Sequence, residues 1–79
     1  MKMVESFINT AHLFRLGHEA EASVALRQCI DEMEKHYPEI IRQSSFGQIL
    51  SPMLQAQERQ DWLALADYLE YELPQLFKL

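Results

Sequence analysis

Glycine, proline and cysteine are all scarce in this chain, at two, three and one in 79 residues. So few backbone breakers and staples exclude a disulfide-held scaffold and a low-complexity disordered chain. The lone Cys29 cannot pair within the chain. It lies among apolar neighbours at helical spacing, so it reads as a small buried hydrophobe in a reducing setting.

Positive charge is also thin. Seven bases against twelve acids leave a formal charge of −5, and Lys2, Arg15, Arg27, Lys35, Arg42, Arg59 and Lys78 are scattered along the chain. Without a basic stripe to neutralise phosphates, nucleic acid and anionic membrane surfaces are not expected partners. No apolar run approaches the ~18 residues of a membrane-spanning helix. In MKMVESFINTAHLF, Glu5, Asn9 and His12 interrupt the apolar core that a signal peptide needs. The expectation is a cytoplasmic protein.

The parts of an active site are missing as well. There is no Gly-rich phosphate loop and no nucleophile motif. Glu32 and His36 stand four apart and could share an ion, but a stable site wants three or four ligands, and His12 and His18 add none at metal-ligand spacing. Carboxylates pair along single helices, as in Asp67 with Glu70, yet general acid/base work needs two different environments facing a cleft. The expectation is a chain with no catalytic, metal-binding or cofactor-binding residues.

What remains is helical patterning in a chain that is 48% hydrophobic. Val4, Phe7, Ile8, Ala11 and Phe14 form one stripe, and Gly17 stops it, since glycine takes the left-handed conformation that closes a helix. A second helix over about 19 to 36 carries Ala22, Leu26, Cys29, Ile30 and Met33 on one face, and Pro38 begins a new segment. From 39 to 59 a helical period continues through Gly47 and Pro52, which predicts one helix kinked at Pro52. The other reading is two helices parted between Gly47 and Ser51. Asp61 caps the last helix, whose stripe is Trp62, Leu65, Ala66, Leu69, Leu73 and Leu76. Pro74 ends or bends it, leaving the tail QLFKL.

These elements predict an all-α domain over residues 1 to 79, with hairpins at 3–36 and 39–77 forming a small up-and-down four-helix bundle. A chain this short buries only about 60% of the surface its unfolded form exposes, so its core is thin. The stretches LGHEAEASVAL and RQDWLALADYL are weakly alike. The likeness is mostly Ala and Leu at helical spacing and reads as chance.

One face of the last helix stands out, because Asp67, Tyr68, Glu70, Tyr71 and Glu72 join acids to two tyrosines opposite the Trp62 stripe. Such a patch suits a basic protein partner. The plain alternative is a solvated helix face with half-buried tyrosines. Leu13, Leu16, Val24, Leu63, Leu76 and Leu79 lie off or at the edge of the stripes. They point to a surface covered by another protein or by a second copy, as in a homodimer.

The segment AQERQDWLALADYLEYELPQLF resembles one found in small helical bacterial proteins of unknown function, at Asp61, Trp62, Leu65, Ala66, Asp67, Leu69, Glu70, Tyr71, Glu72, Leu73 and Pro74. In architecture and charge the chain also resembles flagellar and type III export chaperones, small acidic bundles that hold a client's amphipathic helix. That resemblance implies a client helix along an apolar groove, with Trp62 or the Leu76-Phe77 tail at its rim.

Overall fold

A computed structural model describes residues 2 to 77; Met1, Lys78 and Leu79, and with them the end of the QLFKL tail, lie outside the described residues. The described chain is all-α. Its helices are α1 (Lys2–Arg15), α2 (Glu19–His36), α3 (Pro38–Ile41), α4 (Ser44–Glu58) and α5 (Trp62–Asp67), and α5 continues into a π-helical turn, Tyr68–Glu72, and a 3-10 helix, Leu73–Phe77. At 18 residues, about 27 Å, α2 is nearly as long as the 31 Å long axis.

Each long helix buries one stripe. Met3, Phe7, Ala11 and Phe14 of α1 meet Ala22, Leu26, Cys29 and Met33 of α2, Phe46, Met53 and Ala56 of α4, and Leu65, Ala66, Leu69 and Leu73 of the C-terminal segment in one core. Helix α1 is central, packing on α2, on α5 and on both turns beyond it. Helix α4 packs on the C-terminal segment and reaches α2 through α3. Phe14 stacks on Trp62 at 5.4 Å between ring centroids and Phe7 meets Phe77 at 5.6 Å, so α1 and the C-terminal segment run antiparallel. Thr10 is the buried polar residue in this core. Its hydroxyl donates to the Ser6 carbonyl at 2.8 Å, which leaves the Cys29 thiol, 3.6 Å away, as donor to Thr10.

The two sharp turns share one geometry. Gly17 has φ 81°, its N–H donates to Phe14, and the His18 N–H donates to Leu13, the paired bonds of a Schellman motif. Gln60 has φ 57°, its N–H donates to Gln57, and the Asp61 N–H donates to Ala56 in the same pattern. These positions correspond in the two weakly similar stretches, which therefore share a turn as well as Ala and Leu.

Two expectations need correction. Residues 39 to 59 form neither one kinked helix nor two helices parted between Gly47 and Ser51. The break falls at Arg42 and Gln43, and α4 runs from Ser44 through both Gly47 and Pro52. Gln43 adopts an extended backbone at the start of α4, and its carbonyl accepts from Phe46 at 3.1 Å. Phe46 is thereby turned into the core.

The last helix also departs from expectation, because it neither stops nor simply bends at Pro74. Proline has no N–H and would crowd the carbonyl four residues back in an α-helix. Before Pro74 the helix widens, so that the Leu73 N–H donates to Tyr68, five residues back, and it then tightens into the 3-10 helix. This manoeuvre keeps Leu69, within the wide turn, and Leu73, just after it, buried.

Candidate functional site

The face of the C-terminal segment away from the core is built by that wide turn. Asp61 starts the helix, its carboxylate accepting from the Ala64 N–H at 3.3 Å. One α-helical turn then carries Leu63, Ala64 and Asp67 outward, and the π turn carries Tyr68, Tyr71 and Glu72. Ala64, Asp67, Tyr68, Tyr71 and Glu72 line one shallow depression of about 350 Å³. Tyr71 is 58% exposed, whereas Tyr68 is half-buried against the core.

Charge on this face is organised from α1. The Arg15 guanidinium forks across two carboxylates, donating to Glu70 Oε1 at 2.6 Å and to Asp67 Oδ1 at 2.8 Å. His12 lies 3.7 Å from Glu70 on the same side. The neighbouring Tyr71 hydroxyl and the Arg15 guanidinium hold the Glu70 carboxyl below its ordinary range. The Glu70 carboxylate in turn raises the Tyr71 hydroxyl, and Glu70 and then Asp67 raise Arg15. Arg15 takes only one oxygen of Asp67, whose side chain stays 65% exposed.

The residues singled out in the sequence fall into three groups. Trp62, Leu76 and Phe77 are half-buried at the edge of the core, with Phe77 edge-on to Tyr37 at 5.0 Å. Asp67 and Glu70 are tied to α1. Tyr68, Tyr71 and Glu72 line the depression with Asp67. Arg15, which joins Asp67 and Glu70, stood in the sequence as one scattered base. It lies 52 and 55 residues from its partners, so no local spacing could disclose the contact. Ala64, the small residue of the depression, also carried no mark beyond its place in the helix.

The other groups considered lie apart. Glu32 and His36 are exposed on α2 and line a depression with Lys2, Lys35 and Tyr37, near the start of α1. Asp67 and Glu70 flank the end of α1, so the two pairs do not converge. No cluster of three His, Cys, Asp or Glu that could hold a metal ion occurs among the described residues. Burial pushes the Cys29 thiol up, which disfavours the reactive thiolate. Among the described residues no helix is long and apolar enough to cross a membrane.

No family model, curated protein or solved structure matches this chain.

Proposed function

We propose that this chain is a protein-interaction module, adaptor-like or export-chaperone-like and working in the cytoplasm, whose hairpins form an up-and-down four-helix bundle. It acts by contact, through the face around Tyr71, and not by catalysis. Its occupant is an apolar helix of a partner protein.

One observation carries the reading. Among the described residues, the large apolar side chains most exposed to solvent are Leu16 at 71%, Leu63 at 65% and Tyr71 at 58%, followed by Val24 and Leu54. Leu63 and Tyr71 border one region: Leu63 precedes Asp67 by one helical turn, Tyr71 lines a depression with Asp67, and Arg15 reaches Asp67 and Glu70 from α1. Concentrated apolar exposure with a polar, charged rim is the composition of a contact surface. A π turn within it adds weight, because such turns are frequent at functional positions.

The second reading is self-association, and α4 favours it. Gly47, Leu50, Ser51, Leu54, Gln55 and Glu58 line a trough along its outer face, and a side-chain carbon added at Gly47 meets nothing within 4 Å. A second copy could lie there closely.

The test places a photo-crosslinking side chain at position 71, at 54 or at Val24 in cells, with sedimentation equilibrium of the purified protein alongside. The proposal expects a discrete adduct from position 71, lost on Leu63→Asp, and no such adduct from position 24. Adducts of the chain with itself from position 54, together with a dimeric mass, favour the second reading. Equal, diffuse adducts from all three positions contradict both.

A further inference from the structure

The chemistry of the Tyr71 depression narrows the kind of partner, and this step rests on the reading of that face as a contact surface. Asp67 and Glu72 are five residues apart. In an α-helix five residues turn through about 140° beyond a full circle, which sends two such side chains to different faces. In a π turn, whose bond runs from residue i to i+5, each turn takes more residues, and side chains five apart return closer to one face. The Leu73-to-Tyr68 bond is of that kind, and Asp67 and Glu72 line one depression together with Tyr68, Tyr71 and Ala64.

Two carboxylates flanking two aromatic rings complement a cation on an aliphatic stem. The charge meets the acids, the stem lies on the rings, and a cation over a tyrosine face gains further attraction. Arg15 already demonstrates the match from one side, since it reaches Asp67 while leaving that carboxylate mostly open. Ala64 leaves room where a larger side chain would fill the depression. Leu63, exposed one turn before Asp67, offers an apolar contact beside it. The chain as a whole carries −5, which favours approach of a basic partner and disfavours a second acidic copy.

We infer that this depression receives an arginine or lysine side chain carried on an apolar helix of a partner protein, its stem on Tyr68 and Tyr71 and its charged head between Asp67 and Glu72. Pro74 is then a positioning residue, because the π turn that precedes it is what aligns the two acids.

The experiment is an amide-shift titration of the full chain with three amidated helical peptides. One bears leucine and arginine four residues apart on a single face, one has citrulline in place of arginine, and one has glutamate. The arginine peptide is expected to shift amides at 63 to 73, to bind about ten-fold more tightly than the citrulline peptide, and to weaken as salt rises. Glu72→Gln and Tyr71→Ala are each expected to weaken it several-fold while the amide spectrum of α2 stays unchanged. Pro74→Ala is expected to weaken it also, with amide shifts of 68 to 73 moving in the free protein.

Equal binding of the arginine and citrulline peptides at this face overturns the inference and leaves the contact-surface reading standing. If all three peptides leave 63 to 73 unmoved, or shift only the Leu50 and Leu54 face of α4, both fail. Shifts at Tyr71 that depend on protein concentration without peptide also overturn the inference, in favour of a second copy.

Discussion

The first half of the molecule obeys local rules and the second half breaks them. Helices α1 and α2 are uninterrupted, and the turn between them puts glycine where the backbone needs positive φ. From residue 38 onward the chain breaks a helix at Arg42, runs α4 through Pro52, places Gln60 in the left-handed region, and widens its last helix before Pro74. Departures from local preference are held by the surrounding packing and are expected where a chain serves a purpose besides stability. Three of the four leave the outer surface near Tyr71 untouched. The fourth, the π turn, builds it.

If the second half is held by packing, its core residues should matter as much as those of the first. Phe7→Ala is expected to cost about 3–5 kcal/mol and Leu69→Ala about 2–5 kcal/mol, read by urea denaturation. A cost for Leu69 well under 1 kcal/mol would mean that the π turn is loosely held, and the comparison would break there.

The turns sharpen it next. Gly17→Ala imposes a side chain at φ 81° and is expected to cost about 1–2 kcal/mol, while Gln60→Gly relieves φ 57° and should stabilise by about 1 kcal/mol. The opposite signs of these two changes, measured by thermal unfolding, are the point of the test. If Gln60→Gly destabilises, its side chain holds the turn in a way the backbone argument misses.

A smaller effect is expected at Asp61. Removing its bond to the Ala64 N–H by Asp61→Ala should cost about 1 kcal/mol. His18 precedes α2 without a side-chain capping bond, so His18→Ala should change stability far less. Equal costs would show that capping does not distinguish the halves.

The smallest effect concerns pH. The Glu70 carboxyl is held below its ordinary range, so its contribution is complete at neutral pH and is lost as pH falls below about 4 through its folded value. Glu70→Gln should flatten that part of the acid limb in a pH series of unfolding midpoints.

The same division explains what could be read before the fold was known. The stripes of α1 and α2, the stop at Gly17 and the Asp61 cap were legible because each is a local rule with a residue that signals it. The break at Arg42 was not, since neither Arg42 nor Gln43 is a breaker and the burial of Phe46 decides it. Pro52 and Pro74 look alike in sequence, yet one α-helix absorbs its proline and the other opens a turn. The acids and tyrosines of residues 67 to 72 were visible as a patch. Their sorting was not, because Arg15 binds Asp67 and Glu70 across the fold and the π turn brings Glu72 toward Asp67.

One hydrogen bond shapes the Tyr71 face, and scalar coupling across it can be measured directly. A long-range amide-to-carbonyl correlation on the labelled chain should join the Leu73 nitrogen to the Tyr68 carbonyl. A correlation to the Leu69 carbonyl instead would restore an ordinary α-helix, separate Asp67 from Glu72, and contradict the claim that Pro74 shapes this face.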